Sequence, residues 1–265
     1  MSALMYISVV LTIISLIITV LSYYGIVRYI KLLYSKDCKC FSESYVKLQR
    51  VESPNKVVVS MFTKSRHLDK NMTLKSILDQ TVHPDQIIIV TDEKSMEVPT
   101  DLKKDSIVVL QSAGEIGGLS AILTPLRTQK NSDTKIIVVT DGVIYGPDFI
   151  ESIVEASNNN PGAVIFVQGY NSKQYVDGKI STSNVDVINI PSGILLIPSL
   201  FKDYSDLMGE INLVKNAPNA TFSAMIAKNN IKTKRLQYDE LFHAKPKLST
   251  DEKITIEYFA QYFKL

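Results

Sequence analysis

Cysteine and excess charge are both scarce in this 265-residue chain, and each scarcity removes a class of explanation. Cysteine occurs twice, at Cys38 and Cys40. No disulfide framework can therefore hold the rest of the chain together, which suits a reducing compartment. A thiolate metal centre would need further ligands, and none stand close in sequence. The pair reads either as two exposed thiols or as juxtamembrane sites for reversible palmitoylation. The formal net charge is only +2; four of the 29 basic and one of the 27 acidic residues fall in residues 1–40, which leaves 25 and 26 for the rest. A neutral body with no basic stripe lacks the electrostatic footprint of a nucleic-acid binder, so no nucleic-acid partner is expected. There is no internal repeat, no low-complexity tract, and no Ser/His/Asp or Cys/His spacing that suggests a nucleophilic centre.

Charge is also missing locally. Met1 to Val27 contains no charged side chain, and Tyr6 to Val27 is dominated by Ile, Leu, Val and Tyr. Such a run is long enough to cross a hydrocarbon core of about 30 Å as a helix. A cleaved signal peptide fits poorly: there is no basic n-region, the apolar run is too long, and no small-x-small site follows. The first basic residues, Arg28, Lys31, Lys36 and Lys39, come after the run. That asymmetry predicts a single-pass membrane protein with its C-terminal body in the cytosol, and the flank is placed to meet anionic headgroups. Two Asn-x-Thr sequons stand at Asn71 and Asn219. Glycosylation at Asn71, inside an expected helix, would be awkward, which also favours the cytosolic side.

Three segments follow from these patterns: residues 1–35 as anchor and basic flank, 36–55 as linker, and 56–265 as one domain large enough to bury a core. In that domain, short apolar runs alternate with amphipathic helices. Strands are expected at 56–62, 86–91, 106–111, 136–139 and 163–168, and helices at 68–80, 119–130 and 149–158. The fold class is therefore α/β with a mostly parallel sheet covered on both faces. Further on, Gly178-Lys-Ile suggests a hairpin. Strands are expected near 185–190, 193–197 and 231–236, and helices over 220–228 and 251–263.

Four segments resemble a known family. They are the strand followed by Thr63-Lys-Ser-Arg-His67, with Ser76-Ile-Leu-Asp-Gln-Thr-Val-His-Pro84 leading to a strand and Asp92; Gly114-Glu-Ile-Gly-Gly-Leu-Ser120; Ile136 to Asp148; and Val185 to Phe201. Together, and in this order, they resemble the GT-A glycosyltransferases, in particular the family-2-like group with membrane anchors. The resemblance implies a nucleotide-sugar donor over the C-terminal ends of the first strands. Asp92 would accept a hydrogen bond from the base, and Thr63 to Arg66 would lie against base, ribose or phosphate. It also implies a Mg²⁺ or Mn²⁺ ion at an Asp-x-Asp slot, which here reads Thr140-Asp141-Gly142, so Asp141 is the expected metal ligand. His243 stands where some members place a C-terminal ligand.

The slot for a catalytic acid pair, at the start of the late helix, holds Asn219-Ala220. Neither can act as a base, and Glu115, Asp148 and Asp186 are the acids that would have to substitute. No catalytic base is named by sequence. Two readings stay open. One is an active membrane-anchored transferase; the other is a degenerate domain that keeps the fold as a membrane-tethered binding or assembly module. Donor sugar, acceptor and stereochemistry are not legible.

Overall fold

The apolar runs that continue without alternation become the centre of one seven-stranded sheet in the computed structural model. The structure describes residues 3–23, 26–34, 41, 45, 47–93, 96, 107–112, 117–201, 216–238, 241–242, 249–260 and 263. The strands are β1 (Val57–Phe62), β2 (Gln86–Thr91), β3 (Ile107–Gln111), β4 (Lys135–Thr140), β5 (Ala163–Phe166), β6 (Ile194–Leu196) and β7 (Lys232–Arg235). Their spatial order is β7-β5-β6-β4-β1-β2-β3. All neighbours are parallel except β6, which runs antiparallel to both β4 and β5.

Alternate residues of each central strand feed opposite faces, as the pleat requires. Val57, Val59, Met61, Ile137 and Val139 pack against Leu74, Ile77, Phe149 and Ile153. These come from helices α3 (Met72–Leu78) and α5 (Phe149–Asn159). Ile136, Val138, Val164 and Ile194 face the other way, toward Ile122, Leu126, Phe222 and Met225. The helices on that side are α4 (Ser120–Thr128) and α7 (Pro218–Lys228). A strand buried on both faces cannot show polar alternation, which is why these runs read as unbroken Val and Ile.

The expected elements recur with small boundary shifts and one change of kind. The Gly178 segment is no hairpin. Instead α6 (Ser172–Val176) ends there, with Gly178 at φ +80 just beyond its last turn. A glycine that follows a periodic stretch serves a helix end as readily as a hairpin turn. The antiparallel pairing lies farther apart, between Gly169–Tyr170 and Val187–Ile188. The final helix, α8, spans Thr250–Tyr258.

At the N-terminus, α1 (Ala3–Tyr23) is a candidate membrane span by length and composition, with no part of its apolar window buried. Its two threonine hydroxyls are satisfied internally: Thr12 and Thr19 donate to the carbonyls of Ser8 and Ser15, each at 2.9 Å. The next helix, α2 (Ile26–Tyr34), does not leave its arginine to the headgroups. Arg28 turns into the body, donating to the carboxylate of Asp79 (3.1 Å) and to the carbonyls of Tyr145 (2.5 Å), Ser76 (3.2 Å) and Asp79 (3.1 Å). Carbonyls at the end of α3 have no partner within their own helix, and a guanidinium satisfies several at once. In the segment expected as a linker, Phe41, Tyr45 and Val51 are buried in the core, and Gln49–Arg50 pairs in parallel with Val82–His83.

One backbone position is sterically exacting. Gly193, which leads into β6, has φ +97, and a Cβ there would lie 2.4 Å from Phe149 Cζ. Gly118 has nothing within 4 Å of its notional Cβ. We predict that Gly193→Ala lowers stability by about 2–5 kcal/mol through strain and overpacking, while Gly118→Ala stays within about 1 kcal/mol; urea titration of both variants checks this.

Candidate functional site

The strand order reverses direction between β1 and β4, and in an open α/β sheet that reversal opens a crevice at the C-terminal strand ends. Here the two ends are Phe62 and Thr140, which are register partners. The next residues are Thr63 and Asp141. Thr63 is buried and donates its hydroxyl to Asp141 Oδ2 at 2.5 Å, while accepting from the Ser65 amide at 3.0 Å. Asp141 Oδ1 accepts from Asn71 Nδ2 at 2.8 Å. Asn71 is also the N-cap of α3, its Oδ1 accepting from the Leu74 amide at 2.8 Å. One side chain thus starts a helix and steers a carboxylate.

The turn that carries Asp141 is held from three sides. Thr73 Oγ1 donates to the carbonyl of Val143 at 2.7 Å. The Thr140 amide donates to the Tyr145 hydroxyl at 2.9 Å, and that hydroxyl donates to the carbonyl of Pro191 at 2.8 Å. Burial pushes the Tyr145 phenol above its ordinary range, so it remains a neutral donor. Gly142 takes φ +85, a conformation that favours glycine. A second acid at that position would be strained as well as charged. Leu241–Phe242 pairs antiparallel with Ile144–Tyr145, which brings the late chain beside this turn. His243 and Glu115 lie outside the described residues.

A rim of four charges overlies the ends of β1 and β2. Lys64 Nζ lies 3.5 Å from Asp92, and Arg66 lies 2.9 Å from Glu93. The lysine and arginine are mostly exposed, so these pairs contribute at most about 1 kcal/mol and can be exchanged for another anion. Two residues of the Ser76–Pro84 motif have structural partners. Buried Gln80 accepts from the Ile150 amide at 3.0 Å and donates to the Gly146 carbonyl at 2.6 Å. The Thr81 amide donates to the Pro147 carbonyl at 2.7 Å. They stitch α3 to the segment that follows Asp141.

Two of the three substitute acids, Asp148 and Asp186, are engaged elsewhere. Asp148 accepts from the Tyr238 hydroxyl at 2.6 Å. Asp186 accepts from the Ser172 amide at 2.7 Å and its hydroxyl at 2.5 Å. The acid that meets Asn219-Ala220 comes from α8 and was invisible to spacing arguments. Glu252, 5% exposed, accepts from the backbone amides of Asn219 (3.1 Å) and Ala220 (2.9 Å) and from the Tyr170 hydroxyl (3.3 Å). It thus caps the N-terminus of α7, where a carboxylate complements the free N–H groups.

Burial pushes Glu252 up to about 7, against the opposing pull of the Ala220 and Asn219 amides. The folded chain therefore holds a proton that the unfolded chain releases near its ordinary value of 4.5. Stability from this group is full below that value and falls as pH rises through the window up to about 7. We predict a loss on the order of 1–3 kcal/mol across the window in the parent chain, and a flatter profile in Glu252→Gln, read by denaturation midpoints against pH.

No protein-family model matches the chain. Over 111 residues it is 32% identical to the glucosyl-dolichyl phosphate glucuronosyltransferase of Haloferax volcanii, a match that takes in 41% of this chain and 35% of that protein. The matched stretch is thus about a third of that relative's length. Among solved structures, a mannosyltransferase from Pyrobaculum calidifontis, PcManGT in complex with GDP-Man and Mn²⁺, superposes with a TM-score of 0.48 at 12% identity, covering 79% of this chain and 64% of that one. Across the described residues the chain has an α/β fold, its mostly parallel sheet flanked by helices, behind an N-terminal apolar helix.

Proposed function

We propose that this chain is a membrane-anchored glycosyltransferase that takes a sugar from a nucleotide-sugar donor lying over the ends of β1, β2 and β4. The observation that carries the reading is Asp141, a half-buried carboxylate at the point where the strand order reverses, oriented by Thr63 and Asn71. A degenerate module would have no need to keep its remaining acid so fixed. The similarity to the Haloferax volcanii enzyme supports the same class. It also makes a lipid-phosphate-linked sugar the acceptor class to test first.

The residues present fit a divalent ion of the Mg²⁺ or Mn²⁺ kind. Such ions are held by one or two carboxylates together with substrate phosphates and water. A carboxylate offers about four lone-pair sites, and Thr63 and Asn71 occupy two of those on Asp141. His243, named by the resemblance alone and lying outside the described residues, is the second candidate ligand. When bound, the ion supplies Lewis-acid neutralisation of the departing diphosphate. The chain's own part is to place and to balance charge. Arg66 exchanges Glu93 for phosphate oxygens, a bidentate contact that outweighs an exposed pair. Asp92, at the end of β2, accepts from the base. The body faces the cytosol, following the basic flank after α1.

The test uses the full chain in detergent, a panel of nucleotide-sugars, and Mn²⁺ present or absent. Metal-dependent donor hydrolysis is expected. Asp141→Ala is expected to lose at least about 100-fold in turnover, the scale for removing one contact to developing charge, with an unchanged circular dichroism spectrum. Full turnover in that variant would remove Asp141 from the site. Donor binding without turnover under any condition would favour the binding module. Protease added to inverted vesicles is expected to digest the body, and protection there would reverse the orientation.

A further inference from the structure

Helix α2 has two faces of opposite character, and among the described residues only one packs on the body. At about 100° per residue, Arg28, Tyr29 and Leu32 fall on one side. Leu32 is fully buried, Tyr29 packs on the core, and Arg28 makes the four bonds to Asp79, Tyr145 and Ser76. Lys31 sits at the border and reaches Asp79 at 2.6 Å. The opposite arc, about 120° wide, holds Ile26, Val27, Ile30, Leu33 and Tyr34, exposed by 38, 41, 44, 51 and 77%. Five apolar side chains in one arc of a helix are an exposed patch with a purpose. The patch begins only three residues after α1 ends at Tyr23, so it continues an already apolar surface.

We propose that α2 lies in the membrane–water interface, its apolar arc sunk into the headgroup and upper acyl region and its polar arc clamping the α/β body. The inference rests on the anchored reading of α1. A helix with one apolar and one charged face, set beside a span, is built for that layer, and Lys31 at the border can keep its ammonium in water while its stem lies in lipid. The consequence is positional. Arg28 donates to the carbonyl of Tyr145, and the Tyr145 hydroxyl accepts from the Thr140 amide, one residue before Asp141. The bilayer surface, α2 and the Asp141 turn are thereby joined through a few fixed contacts. The crevice is held at one height and tilt over the membrane, as a lipid-borne acceptor requires, rather than swinging on a tether.

The chain contains no tryptophan, so a single introduced tryptophan reports its own surroundings. Three variants of the full chain are reconstituted in phosphatidylcholine vesicles that carry bromines at graded acyl depths. Leu33→Trp probes α2, Ile14→Trp probes α1, and Ile180→Trp probes the exposed surface of the body. Leu33→Trp is expected to lose most of its fluorescence to shallow bromines and little to aqueous iodide. Ile14→Trp should respond to deep bromines and Ile180→Trp to iodide alone. Iodide quenching of Leu33→Trp without bromine quenching would put the arc in water and overturn the proposal. Protection from both quenchers would mean that protein, such as a second copy, covers the arc, and would overturn it equally. If Ile14→Trp escapes the bromines, the anchored reading of α1 fails instead, and the Leu33→Trp result still decides α2.

Discussion

The carboxylate of Asp141 ties the two halves of the sheet's central crossing to each other. One of its oxygens takes the hydroxyl that follows β1 and the other takes the amide that begins α3. The residues lie some seventy positions apart in sequence, yet both bonds sit at the strand ends where the order reverses. Together the two bonds fix both oxygens of the acid at the mouth of the crevice. A carboxylate that accepts two hydrogen bonds retains further lone pairs for a ligand. The rim of exchangeable ion pairs around it adds charge without adding rigidity. The arrangement thus combines one carboxylate held by two hydrogen bonds with exposed, exchangeable ion pairs, which fits the charged donor proposed above.

The same physics recurs at two helix termini and decides how the chain's ends are attached. Arg28 delivers a guanidinium to the carbonyl end of α3, and Glu252 delivers a carboxyl to the amide end of α7. In each case a residue from one end of the chain satisfies groups that a helix leaves without internal partners. In each case the group is largely removed from solvent, so removing it costs more than an exposed contact would. The two differ in one respect. Arginine remains charged at any accessible pH, whereas a buried glutamate gives up its burial penalty by holding a proton. The C-terminal attachment is therefore sensitive to pH.

Much of the fold was legible in sequence because the central strands are buried on both faces, and continuous runs such as Val57 to Met61 and Ile136 to Val139 have few alternative uses. The place of Asp141 was legible for the same reason: an acid that ends such a run must emerge at a sheet edge. Its partners were not. Asn71 reads as a sequon inside an expected helix over 68–80, and nothing local states that it instead caps α3 or that its amide reaches Asp141. Its burial in that contact also leaves the amide unavailable for a glycan. Glu252 is the plainest case of a long-range surprise, because an acid in the first turn of a helix ordinarily serves that helix. Gly178 fell to an ambiguity of local chemistry, since the same residue ends helices and turns hairpins. Arg28 read as part of a membrane flank because a run of basic residues carries no information about which of them turns inward.

The central claim is that the donor lies over the ends of β1, β2 and β4. Photo-crosslinking with azido-nucleotide-sugars, followed by peptide mapping of the full chain, tests it most directly. The account predicts label in the peptides that contain Thr63 to Arg66, Asp92 and Asp141, with label lost on competition by unmodified donor. Competed label at the opposite end of the sheet would contradict it. A cavity there is lined by Lys56, Gln86, Gln129, Lys130 and Asn131.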